Sequence, residues 1–259
     1  MARTTDLPGF GGRALTSTST LRKVPAVTAR FWVIKVLTTG FGEAASDALM
    51  RTFGILAALV TGLLLIAVLA WQFRTDRYRP VVYWAAVVMV AIFGTMAADV
   101  PSSMGAPLWA TSIGYLAAVL LVFGWWHRVR GTLSFSSVDT PAAEGFYWAA
   151  VLATFALGTA VGDLTAETWG WGNLTSGLVF AALIAVPFVA VRWAGLPAVP
   201  GFWIAYVLTR PLGASFADWM SLPTAHGGLG LGAPLVSAMW AVPMVGSIIF
   251  LAARSTRRG

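Results

Sequence analysis

Cysteine is absent from the 259-residue chain. That excludes a disulfide framework and any thiolate metal site. Charge is scarce too, at 10% of residues, against about 25% in a soluble domain. There are only two histidines, and no Ser/His/acid or Cys/His grouping is apparent. The expectation is therefore a non-enzyme with no cofactor. Gly228, Gly230 and Gly232 follow no strand and have the wrong spacing for a nucleotide loop. What fills the chain instead is apolar: 58% hydrophobic residues and a mean hydropathy of +0.78. This composition belongs to a polytopic all-α membrane protein. The net charge of +7 then points to basic loops beside membrane spans, not to nucleic acid.

Within this apolar background one pattern recurs four times. Phe31-Trp32 leads to Gly42 and Asp47. Tyr83-Trp84 leads to Gly94 and Asp99, Tyr147-Trp148 to Gly158 and Asp163, and Phe202-Trp203 to Gly213 and Asp218. Each copy has an aromatic residue before Trp, glycine ten residues after it and aspartate fifteen after it. Gly105-Ala-Pro-Leu108 also recurs as Gly232-Ala-Pro-Leu235. Such internal periodicity defines the architecture before any local assignment does.

Eight apolar segments are each near the ~20 residues a spanning helix needs. They fall near 28–48, 53–73, 80–99, 108–126, 145–166, 173–193, 200–220 and 233–254. The pattern occupies every odd-numbered segment. The expected fold is eight transmembrane helices arranged as four parallel helical-hairpin repeats (28–73, 80–126, 145–193, 200–254), all in one orientation. Residues 1–23 read as a disordered cytoplasmic tail without a removable signal peptide, 24–254 as the membrane domain and 255–259 as a basic cytoplasmic tail. Fourteen of the seventeen Lys and Arg residues lie on one side of this arrangement. That side is read as cytoplasmic in a bacterial inner membrane, with both termini inside. Trp32, Trp84, Trp148 and Trp203, with Trp71, Trp125, Trp126 and Trp193, read as an interfacial belt at that boundary. Trp109, Trp169, Trp171 and Trp219 read as the opposite one. The loop over 127–144 divides the chain into two halves. His127 and His226 lie on opposite faces and cannot share one haem.

Four runs carry a family resemblance. They are Lys35-Val-Leu-Thr-Thr-Gly-Phe-Gly-Glu-Ala-Ala-Ser-Asp47, Gly158-Thr-Ala-Val-Gly-Asp-Leu-Thr-Ala-Glu167, Leu208-Thr-Arg-Pro-Leu-Gly-Ala-Ser215 and Gly227-Gly-Leu-Gly-Leu-Gly232. The chain resembles a bacterial family of uncharacterised membrane-anchored repeat proteins over nearly everything after residue 23. The resemblance implies a multi-pass membrane protein and brings no activity with it. The second repeat departs from the pattern: Ala98-Asp99 is followed by Pro101 where a Thr-Asp pair is expected.

The carboxylates carry the chemistry. Fifteen helical residues rise about 22 Å, so each Asp lies deep across the membrane from its Trp. An acid inside a span is costly and marks a functional hypothesis by default. Asp47, Asp163 and Asp218 are the expected core ligands of a small cation, with Glu43, Glu167 and Asp99 assisting. Protons, Na⁺ and hard divalent ions such as Mn²⁺ fit oxygen donors. Lys35 and Arg210 are the expected charge-compensating partners of Glu43, Asp47 or Asp218, and His226 a possible pH-sensitive group. On a helical wheel Lys35, Thr38, Thr39, Gly42, Glu43, Ser46 and Asp47 share one face, which must meet protein or water. The competing reading is structural. Asp47 is close enough to the second helix to cap it, and the acids would then organise outer loops in a non-transporting scaffold or assembly partner. The glycines read as helix-packing sites, with the odd helices innermost. The expected partners are the lipid bilayer and a small cation, with no nucleic acid and with homo-oligomerisation left open.

Overall fold

The computed structural model describes residues 23–256. Of the tail expected over 1–23, residues 1–22 lie outside the described residues, as do the last three residues of the basic tail; Lys23 is described and is buried, not part of a free tail. Eight helices make up the described chain: α1 (Ala29–Phe53), α2 (Ile55–Phe73), α3 (Pro80–Ser103), α4 (Leu108–Arg130), α5 (Pro141–Thr168), α6 (Gly172–Trp193), α7 (Ala198–Ser221) and α8 (Ala233–Thr256). Their starts follow local chemistry. Thr28 and Thr140 accept N–H bonds from Phe31 and Ala143, and Pro80 and Pro141 open α3 and α5 where a missing N–H costs nothing. Among the described residues there is no strand.

Six helices, α2 to α6 and α8, are long and apolar enough to cross a membrane. Helices α1 and α7 are long enough, at 25 and 24 residues, but carry the polar face of Lys35, Glu43, Asp47, Thr209, Arg210 and Asp218. The packing explains how they tolerate it. The four odd helices form a closed inner ring, α1 on α3, α3 on α5, α5 on α7 and α7 back on α1. The even helices lie outside. In their most apolar stretches α3 and α5 are 67% and 56% buried, against 11–22% for α2, α4, α6 and α8.

The hairpin expectation needs one correction. The two helices of a repeat make little contact with each other. Each outer helix packs instead on the inner helix of the next repeat: α2 on α3, α4 on α5, α6 on α7, and α8 on α1. The four units are thus interlocked around the ring.

The repeated residues build that ring level by level. At one end the aromatic before each Trp meets the Trp of the next repeat. Phe31 lies 5.6 Å from Trp84, Tyr83 5.7 Å from Trp148, Tyr147 6.1 Å from Trp203 and Phe202 5.7 Å from Trp32. These tryptophans are therefore core residues, not belt residues. Trp84, Trp148 and Trp203 are buried and Trp32 half-buried. Trp126 is buried as well, whereas Trp71, Trp125, Trp193, Trp109, Trp169 and Trp171 are exposed and keep the belt reading. The sequence signal for an interfacial Trp and for an aromatic ring inside a bundle is the same, because both lie at a helix start.

Ten residues on, each repeated glycine faces the residue seven after the Trp in the next ring helix. Gly42 faces Ala91, Gly94 faces Phe155, Gly158 faces Arg210 and Gly213 faces Thr39. A Cβ on Gly42 or Gly213 would collide with backbone of the neighbouring helix. In lipid, where apolar surface gains little by meeting other apolar surface, such close approach is what holds helices together.

The loop between α4 and α5 is not a free divider. It folds over the aromatic end. Phe135 packs 4.2 Å from Phe202, the Trp203 indole donates to the Leu133 carbonyl at 3.0 Å, and Val138 is fully buried.

Candidate functional site

The opposite end of the ring gathers the acids. Asp47, Asp99, Asp163 and Asp218, one from each inner helix, line a single cavity of about 490 Å³ together with Glu43 and Glu167. All six carboxylates singled out by the repeat and its neighbourhood therefore reach one space. Because the aromatic starts meet at one end and the acids at the other, the four inner helices run parallel. The second repeat, despite its departure from the pattern, places Asp99 with the others.

Details of placement differ from the expectation. Helix α1 continues through Asp47 to Phe53, and the chain turns at Gly54, whose φ of 55° suits glycine. Asp47 therefore does not cap α2, which has no side-chain cap. It pairs one turn along with Arg51 at 3.2 Å. Arg51 is exposed, and an ion pair of that kind contributes about 0–1 kcal/mol. Asp163 and Asp218 lie before the ends of their helices, not at them. Beyond Asp163 the helix widens into a π-helical turn over Leu164–Thr168 that carries Glu167; such turns gather at functional sites. Asp99, Asp163 and Asp218 form no ion pair among the described residues. The N-terminal ends of α4 and α6, through Leu108 and Asn173, form part of the wall. Their free N–H groups and positive dipole ends offset some of the negative charge.

The floor of the cavity is an ion pair. Arg210 of α7 donates through Nη2 to Glu43 Oε2 of α1 and, at 2.7 Å, to Thr95 Oγ1 of α3. Three of the four ring helices meet at this guanidinium. Only 1% of the Arg210 side chain and 8% of the Glu43 side chain is exposed. Arg210 thus pairs with Glu43, one of the three acids named for it. Lys35 does not. Its Nζ has no hydrogen-bond partner among the described residues and lies 4.2 Å and 4.3 Å from the rings of Phe155 and Tyr206. Its amine packs on ring faces and, among the described residues, meets no carboxylate. Glu43 and Asp47 lie about two and about three turns further along α1, too high in the ring for it.

His226 is exposed on a short turn, Thr224–His226, and is not part of the cavity wall. Among the described residues no three His, Asp or Glu side chains are placed to hold a metal ion. The carboxylates share a cavity without sharing one ligand-sized point.

A second buried polar cluster escaped the sequence reading. Lys23 donates to Glu144 at 2.7 Å and to the Phe73 carbonyl at 3.1 Å, and Gln72 donates to the other Glu144 oxygen at 2.9 Å. Lys23 N–H also bonds the Val138 carbonyl at 3.3 Å. The cluster ties the stretch before α1, the end of α2 and the start of α5 together at the aromatic end. Three residues spread over 121 positions leave no local spacing to find. The one available signal was Glu144 itself, an acid beside a span.

An apolar helical bundle with a fourfold internal repeat, a buried ion pair and an acid-lined cavity at one end defines a class: multi-pass membrane proteins built from repeated helical units. Within it, the chain belongs to the family described as Repeat of Unknown Function (DUF347), whose model matches residues 30–78, 82–132, 146–195 and 201–257. These four matches coincide with the four repeats read from the sequence. No curated protein and no solved structure matches the chain.

Proposed function

We propose that the protein crosses a bacterial inner membrane eight times and moves a small cation, entering through the carboxylate-lined cavity on the outer side. Helices α1 and α7 count as spans because the ring shields their polar faces from lipid. The basic end carries Arg74, Arg77, Arg79, Arg128 and Arg130 and is cytoplasmic by the positive-inside rule. The observation that carries the reading is the cavity. Six carboxylates from all four inner helices line it, and a desolvated ion pair forms its floor. An acid at that depth is costly unless a cation or proton serves it. The absence of a ligand-sized convergence among the described residues favours a proton or a hydrated cation over a stripped divalent metal. Transport requires the Glu43–Arg210 pair to open and the aromatic end to part.

One observation favours a second reading, that of a non-transporting scaffold. Interlocked rings and the α4–α5 loop pack over the aromatic end. The two readings separate in proteoliposomes. Purified protein is reconstituted with entrapped dyes selective for H⁺, Na⁺, K⁺ or Mn²⁺, and each preparation is challenged with a gradient of the matching cation. The thermal stability of the same preparations is measured across that cation panel. Transport predicts a flux that Asp163→Asn and Asp218→Asn abolish while both variants stay folded. Folded wild type with no flux for any of these cations, and no cation-dependent melting shift, rejects the transport reading in favour of the scaffold.

A further inference from the structure

The lipid-facing side of the bundle carries a second feature, at the seam where α8 packs on α1. A groove of about 510 Å³ runs there, lined by Val33 and Ile34 of α1 and by Pro243, Gly246, Phe250 and Leu251 of α8. That volume lies within the ~300–1,000 Å³ of ordinary ligand pockets. Two residues shape it. Pro243 sits inside α8 and cannot donate to the carbonyl four residues back. Gly246 leaves its place empty: a Cβ built there meets nothing within 4 Å. At the basic end of the groove two arginines gather on one ring. Arg30 lies 5.6 Å and Arg254 4.5 Å from the centre of Phe250. No acidic side chain lines the groove, and among the described residues neither arginine has an ion-pair partner.

From an apolar slot that ends in two unpaired cations, we infer a site for one anionic phospholipid, its acyl chain along Ile34 and Gly246 and its phosphate between Arg30 and Arg254. The chemistry is complementary at both ends. Apart from Arg30 at its basic end and the single hydroxyl of Ser247, the lining of the slot is apolar. The guanidiniums offer forked donors that match phosphate oxygens, at the end where a cytoplasmic leaflet presents anionic lipid. The position matters for the fold. This seam is the one outer-on-inner contact of the ring that joins the last helix to the first, so a lipid seated there bridges the closure. The inference rests on the proposed reading that the basic end faces the cytoplasmic leaflet of a bilayer, and is independent of what the acid cavity does.

The test uses full-length protein in nanodiscs of equimolar phosphatidylglycerol and phosphatidylcholine, released into native mass spectrometry. Attraction of about 1 kcal/mol per basic residue at an anionic surface corresponds to roughly five-fold per arginine, so the retained lipid should favour phosphatidylglycerol on the order of ten-fold or more. Arg30→Gln with Arg254→Gln should bring the ratio to near unity. Gly246→Leu, which fills open space, should lower retention of the tightly held lipid while leaving the fold intact. Inorganic phosphate at matched concentration should not displace it. Equal retention of both lipids by wild type overturns the proposal, as does an anionic preference that survives both arginine substitutions. Should the double variant fail to fold, Arg254→Gln alone and wild type at high salt decide instead. A preference unchanged in both rejects the site.

Discussion

Glu43→Gln is the sharpest perturbation the structure offers. The substitution keeps shape and removes one charge. It leaves Arg210 with 1% of its side chain exposed, bonded to Thr95 but facing no anion at contact distance. Its Nε and Nη1 already lack hydrogen-bond partners among the described residues. Breaking a buried pair from one side costs about 3–5 kcal/mol. At roughly 2–4 °C per kcal/mol for a chain of this size, the melting temperature of purified protein should fall on the order of 10 °C. The partner substitution separates charge from packing. Arg210→Met keeps the Cβ and Cγ that pack against Gly158, and Thr95 remains satisfied through its bond to the Ala91 carbonyl. The double variant should therefore recover part of the loss, since it removes both charges and leaves only a neutral amide at position 43, on the cavity wall. A double-mutant cycle in thermal melts reads the coupling directly. A Glu43→Gln protein as stable as wild type, or a double variant no better than the single, would refute the claim that this pair is a desolvated floor.

Three further outcomes are expected. Gly213→Ala should destabilise by about 1–3 kcal/mol through overpacking, because its Cβ would meet Gly40 N at 2.7 Å. Gly94→Ala, whose nearest neighbour is 3.7 Å away, should be neutral or slightly stabilising; equal melting shifts for the two would contradict the ring register. Lys23→Met leaves Glu144 buried beside Gln72 alone and should cost about 3–5 kcal/mol, with faster proteolysis in the stretch 131–140 as a second readout. Because the chain has no cysteine, Ser136→Cys and Thr224→Cys can be labelled with a membrane-impermeant thiol reagent; reaction from the same side of the membrane contradicts the assigned topology.

Much of this fold was legible because the repeat is sequence-local. Aromatic-Trp, glycine and aspartate at fixed offsets on parallel helices must come to common levels, and they do so as rings. The inner position of the odd helices followed from their glycines and polar faces. What stayed hidden depended on which helix neighbours which. Periodicity says that Trp84 and Trp148 lie near a helix start. It does not say that the next repeat supplies an aromatic partner there, and so a belt and a buried ring look alike. Lys35 was assigned a carboxylate partner on charge alone. The rings of Phe155 and Tyr206 that receive it come from α5 and α7, and nothing in α1 announces them. The interlocked outer layer was invisible for the same reason, since connection along the chain suggests a hairpin where packing in space prefers the next unit.

The ring's symmetry stops where its chemistry begins. At the aromatic end and at the glycines all four repeats do the same work with the same kind of residue. Between those levels they diverge. Seven residues after each Trp stand Thr39, Ala91, Phe155 and Arg210, and eleven after stand Glu43, Thr95, Thr159 and Ala214. One position in four holds the cation and one holds the anion, and the ring order brings them face to face. A strictly symmetric ring would place four arginines and four glutamates in one desolvated layer, where each added like charge must be offset within a few ångströms. A single pair needs one partner and one supporting hydroxyl, which Thr95 supplies at 2.7 Å. The four aspartates escape this constraint because they lie one turn beyond that pair, on the wall of a cavity of about 490 Å³. The repeated frame therefore positions an asymmetric interior. The acids of the cavity are the layer where fourfold repetition of charge is tolerable.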